Sequence, residues 1–170
     1  MSRLFLNKEK LNRGELIFFI LYSIISFALF LVVYYFSDKE LLKLLLFFYS
    51  YGTVLFLYVF GYKSLRKIYF TQIFILIGFI HIVFFLLIKD NFDLYFKKGH
   101  SGNGLIYTII AVLLIQILRY LSLKIQQREL VCPDRSGIDM FDNRKTNFFD
   151  FIFFLFYLLS FVGFIVMTSN

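Results

Sequence analysis

YFTQIFILIGFIHIVFFLLI, residues 69–88, decides how this chain folds. It is an apolar run of about 20 residues, the length an α-helix needs to cross the hydrocarbon core of a bilayer. A run this long is about twice a barrel strand, and it lacks the strict alternation of a transmembrane barrel. With no water in a bilayer core to satisfy backbone N–H and C=O groups, a helix is the economical structure. Working outward, four further apolar segments have the same length: Leu16 to Phe36, Leu44 to Tyr62, Leu105 to Leu123 and Phe148 to Met167. The expected fold is an all-α integral membrane bundle of five transmembrane helices, one domain over residues 1–170 with short loops.

Composition agrees with the segments. Of 170 residues, 60% are hydrophobic and 17% charged, with Phe 26 and Trp 0; mean hydropathy is +0.77. Soluble domains average about 45–50% apolar and roughly 25% charged, so an ordinary water-soluble domain is excluded. Five spans consume roughly 100 residues and leave little for a second domain. The basic N-terminus reads as a retained signal anchor: the apolar run after it is too long for a signal-peptide core, and no small-residue cleavage site follows.

Orientation follows from the basic residues. An N-terminus placed in the cytoplasm puts 13 of the 18 Lys and Arg on that side, including all seven arginines, and leaves 5 outside. The net charges are then +6 and +1. That is the positive-inside pattern, and it predicts N-in and C-out in a bacterial inner membrane. The net +7 thereby becomes topological information and a predicted contact with anionic lipid; no nucleic acid is needed to explain it. The rival has four spans, with the last or the second segment failing to cross.

Helices in lipid associate through small residues and a few hydrogen bonds. Such residues return at helical spacing in every span: Ser23 and Ser26; Ser50 and Thr53; Thr71, Gly78 and His81; Thr108, Gln116 and Arg119; Asp150, Tyr157, Ser160 and Gly163. These stripes should face inward, and Gly163 should mark a close helix contact.

His81 is the foremost candidate for function, because a titratable group at mid-span is a functional hypothesis by default. It is suited to relay a proton, gate a pore or bind a metal; the alternative is a buried imidazole bonded to a neighbouring Ser, Thr or Tyr. No metal-ligand spacing accompanies it: His100 lies in the opposite loop and no HExxH pattern exists. Gln116 and Arg119 form a second polar cluster. Arg119 either snorkels, binds an anionic headgroup or pairs with Asp150 at the start of the fifth span.

The longest polar connection, QQRELVCPDRSGIDMFDNRKTN at 126–147, holds the only proline and the only cysteine, Cys132. Its Arg128, Asp134, Arg135, Asp139, Asp142, Arg144 and Lys145 are candidates for contacting a partner or a headgroup. Asp139 and Asp142 would share a face if helical and so could hold a divalent ion, yet the paired-aspartate signature of headgroup transferases does not match. The plain alternative is a solvated charged loop capping the last helix. A lone cysteine forms no internal disulfide, and the Cys132 context supplies no activating base. Catalytic, phosphate-loop and dinucleotide motifs are absent, and no cofactor or metal is called for.

Three functions are thus in view. The first is a non-enzymatic accessory or scaffold subunit contacting a membrane-protein partner through the cytoplasmic loop. The second is an oligomeric channel or membrane-permeabilising effector using the polar faces of the third and fourth helices. The third is a lipid-modifying enzyme at the cytoplasmic interface, using Arg119, Asp134, Asp139 and Asp142.

Overall fold

The computed structural model describes residues 7–35, 38–97, 99–133, 138–139 and 144–168. Five long helices dominate: α1 Arg13–Tyr35, α2 Lys39–Phe56, α3 Ile68–Ile88, α4 Gly104–Gln126 and α5 Phe148–Thr168. All five are long and apolar enough to span a membrane. The second span, Lys39–Gly61, starts five residues before the apolar run from Leu44. It begins at Lys39, where the Asp38 carboxylate accepts the Leu41 N–H at 3.1 Å, and continues through a π-turn, Leu57–Gly61. The apolar pattern missed its first turn because that turn is charged.

The helix starts are set by side-chain caps. Asn12 Oδ1 accepts the Glu15 N–H at 2.7 Å while Glu15 Oε2 accepts the Asn12 N–H at 2.8 Å. Asn147 and Asp150 repeat this reciprocal arrangement at the head of α5, with both bonds at 3.0 Å. Each box satisfies two otherwise orphaned donors. Each is also clamped by a cation: Lys67 on Glu15 at 2.9 Å and Arg144 on Asp150 at 2.8 Å. α4 stops at Gln127, whose left-handed backbone (φ 52°) turns the chain back beneath the helix.

Starts of α1, α3 and α5 meet the ends of α2 and α4 at the base of the bundle. At the top, a two-stranded hairpin, β1 Tyr95–Phe96 and β2 Gly99–His100, joins α3 to α4. The helices are not equivalent. Within the apolar 18-residue stretch of each span, 50% of the residues are buried in α4, 44% in α2 with its π-turn and 39% in α3, against 11% in α1 and 17% in α5, so three helices form the core and two flank it.

Glycine sets the closest contact. A Cβ on Gly78 would stand 2.8 Å from the Ile109 Cβ and 3.1 Å from its Cα, so α3 and α4 touch where no side chain intervenes. Gly104 does the same for α4 against Ser50 and Tyr51 of α2. Gly163 corrects the sequence reading, since a Cβ there meets nothing within 4 Å. Asp150 and Tyr157 are buried, but Ser160 is only half-buried and bonds its own helix at the Phe156 carbonyl. The small-residue stripe of α5 therefore leaves the bundle in its second half. Ser23 is likewise exposed, while Ser26 turns inward.

Candidate functional site

Two polar clusters are built into the bundle. The first is centred on His81, in the middle of α3. Its Nδ1 lies 2.8 Å from Thr108 Oγ1 of α4, and its Nε2 lies 2.8 Å from the Tyr49 hydroxyl of α2 and 3.4 Å from the Tyr22 hydroxyl of α1. One imidazole thus touches every other helix but α5.

The directions of these bonds are settled by donor accounting. Ser26 gives its only hydroxyl hydrogen to the Tyr22 carbonyl at 2.7 Å, so Tyr49 must donate to Ser26. Having spent its hydrogen, Tyr49 accepts from His81 Nε2–H. In the neutral ring Nδ1 is then bare, and it accepts from Thr108. On the other branch Thr53 donates to the Tyr49 carbonyl at 2.8 Å, so Tyr22 donates to Thr53 at 3.0 Å. Every hydrogen has a taker, and the tautomer of His81 is determined by its neighbours.

This arrangement is the bonded, buried imidazole that was the alternative to a reactive one. Both ring nitrogens are occupied, and no group of three or more His, Cys, Asp or Glu suited to a metal occurs among the described residues. Sequence reasoning placed Ser26, Thr53, His81 and Thr108 on inner faces but passed over Tyr22 and Tyr49. Their signal was present: each lies four residues before the Ser or Thr that bonds its carbonyl, on the same helical face.

The second cluster closes the base. Arg119, 3% exposed, makes a two-pronged pair with Glu129: Nε to Oε2 at 2.7 Å and Nη2 to Oε1 at 3.0 Å. Asp150 is fully buried and is held by both Arg144 and the Gln126 amide. The Arg119 to Asp150 pair, one of the three readings of Arg119, is not formed; two other pairs stand in its place. The cause is the reversal at Gln127, which carries Glu129 back under α4, while Arg144 enters beside Asp150 just before α5 begins.

Arg66 joins the same knot, donating to the Leu130 carbonyl at 2.9 Å and lying 3.7 Å from the Glu129 carboxylate. Arg144 also donates to the Glu129 carbonyl at 2.7 Å. Asp139, buried, accepts from the Tyr62 hydroxyl at 2.5 Å. Three guanidiniums thus meet two carboxylates, Glu129 and Asp150, and two loop carbonyls, a pairing that makes burial of these charges tolerable.

The loop is accordingly not a solvated strand of charge where it is described. Leu130, Val131 and Cys132 are buried in one cluster with Leu57, Tyr58, Tyr62 and Leu118. Cys132 is in no disulfide. Arg128 and Lys145 point outward and are exposed. Asp134, Arg135 and Asp142 lie outside the described residues, so the suggested pairing of Asp139 with Asp142 does too. Gln116 is brought to the base of α3, where its amide donates to the Leu65 carbonyl at 2.8 Å and to Thr71 at 3.1 Å.

At the top, His100 is a latch. Gly102 N–H donates to its Nδ1 at 3.0 Å, so Nε2 carries the proton and donates to the Ile88 carbonyl at 3.1 Å. Burial pushes this imidazole below the ordinary histidine range, partly offset by the Ile88 bond. No family model matches the chain, and no curated protein and no solved structure matches it.

Proposed function

We propose that this chain is an integral membrane protein with a cytoplasmic N-terminus, serving as a non-enzymatic accessory or scaffold subunit whose 126–147 loop meets a membrane-protein partner. The observation that carries the reading is the locked base. Arg66, Arg119 and Arg144 are spent on Glu129, Asp150 and loop carbonyls. The described part of the loop, pinned this way, offers a fixed surface, and a preorganised surface loses less entropy on binding than a mobile one. Outside the knot, Lys8, Lys10, Arg13, Lys124, Arg128 and Lys145 remain exposed at the base. Their charge suits an acidic partner surface and the anionic headgroups of a cytoplasmic leaflet.

The channel and enzyme readings draw less support. The polar groups that would line a path, His81, Thr108 and Gln116, are already bonded across helix contacts. Asp139, one of the carboxylates suggested for catalysis, is buried against Tyr62.

The test is native mass measurement of the chain taken from its own membranes into nanodiscs, beside the double variant Arg128→Glu/Lys145→Glu. A stoichiometric second protein on the parent chain, lost from a double variant of unchanged thermal stability, is the expected result. A homo-oligomer without a second chain that passes ions in liposomes would overturn the subunit reading in favour of a pore.

A further inference from the structure

Beside the His81 chain the bundle is not filled. A cavity of about 210 Å³ opens between α1 and α3, with Phe27 and Phe84 among its walls and Ser23, Ser26, Tyr22 and His81 at its polar end. A dry cavity of about 150 Å³ already accepts a benzene ring, so this one has room for a ring with a short substituent.

The bond directions at the polar end determine what chemistry it offers. Ser26, Tyr22 and the His81 Nε2–H all point their hydrogens into the internal chain. What Ser26 still has is a lone pair. Ser23 is different: its hydroxyl makes no hydrogen bond among the described residues, and it lines the same cavity. In a hydrocarbon surrounding, a polar hydroxyl without a partner is costly. A ligand hydroxyl can donate to Ser26 and accept from Ser23. A carbonyl can only accept, and a hydrocarbon can do neither.

We propose that the cleft between α1 and α3 is a binding site for a small bilayer-soluble phenol, with its ring between the phenylalanines and its hydroxyl between Ser23 and Ser26. The site rests on the membrane reading of the outer surface, because the ligand reaches it from lipid.

The probe is a 4-alkylphenol carrying a diazirine, photolysed with the full chain in nanodiscs, with 4-propylphenol or propylbenzene as competitor at matched membrane concentration. Labelling is expected on the α1 and α3 segments around Ser23 and Phe84. Propylphenol should protect at about tenfold lower concentration than propylbenzene, the worth of one or two net hydrogen bonds. Ser23→Leu, which stands outside the internal chain and fills the cavity, should remove the labelling without lowering thermal stability.

Equal protection by the two competitors would overturn the proposal. So would labelling spread over the outward faces of α1 and α5, or labelling undiminished in Ser23→Leu, both the marks of bulk lipid. A chain that does not enter nanodiscs at all would overturn the membrane reading and the site with it, whereas entry without protected labelling would remove only the site.

Discussion

Arg119 lies against Glu129 across the turn that ends α4, with its Nε 2.7 Å from Oε2, and not against Asp150. Ten residues of chain separate the pair. The contact exists because Gln127 takes the left-handed conformation that folds the loop back.

Losing either partner removes the two-pronged contact from the other's buried charge, and for Glu129 leaves Arg66 at 3.7 Å. Arg119→Ala or Glu129→Ala should each cost about 3 kcal/mol, the low end for a buried pair because Glu129 keeps 29% of its side-chain exposure. The double variant should cost clearly less than the sum, with a coupling of at least about 1 kcal/mol. Arg119→Ala combined with Asp150→Ala should be closer to additive. Unfolding curves in mixed micelles measure all of these, and additivity for Arg119 with Glu129 would refute the pairing.

Helix contact through Gly78 predicts a strong asymmetry between two glycines. Gly78→Ala should destabilise by about 1–3 kcal/mol, since its Cβ would meet Ile109 backbone and not the end of a flexible side chain. Gly163→Leu, at a position with nothing within 4 Å, should stay within about 0.5 kcal/mol of the parent. Thermal unfolding of the two purified variants side by side decides the matter.

The internal chain around His81 is checked by spectroscopy and by one hydroxyl deletion. Nitrogen-15 chemical shifts should show an unprotonated Nδ1 and a protonated Nε2. Tyr49→Phe removes the acceptor of Nε2–H and leaves only the 3.4 Å contact to Tyr22. The cost should be about 1–3 kcal/mol, that of an unsatisfied buried donor. A spectrum with the opposite tautomer would contradict the directions assigned to every bond in the chain.

His100 makes the top of the bundle sensitive to acid. Its pKa is lowered in the folded state, first by burial, so the unfolded chain binds the proton more readily. Its contribution to stability is therefore fully present above the unfolded value of about 6.5 and declines as pH falls below it, by at most about 1.4 kcal/mol per pH unit. The decline levels off once the folded imidazole is itself protonated, because both states then carry the proton; that protonation also costs Nδ1 the Gly102 N–H. Unfolding free energies at pH 7.5 and pH 5 should fall further apart for the parent than for His100→Asn; equal pH dependence in the two would remove His100 from the account.

Five helices were legible in the chain because length and hydrophobicity are local properties: Tyr69 to Ile88 reads as a helix whatever surrounds it. The polar positions were legible too, since Ser26, Thr53, His81 and Thr108 stand out against Phe and Leu. Their partners were harder. Tyr22 and Tyr49 looked like two more aromatic side chains in a chain rich in them, and only the meeting of four helices turned their hydroxyls toward His81.

The base shows the division most sharply. The residues alone determined that Arg119, Asp150 and the charged loop would gather where α4 ends and α5 begins, because connectivity keeps neighbours near. Which carboxylate each arginine takes depended on one left-handed residue and on the depth to which Leu130, Val131 and Cys132 are drawn into the core. The same holds for the glycines. Spacing placed Gly78 and Gly163 on equivalent stripes, and tertiary packing put Ile109 against the first and nothing against the second. A repeat of small residues describes a helix surface, but what lies against that surface is a property of the neighbouring helix.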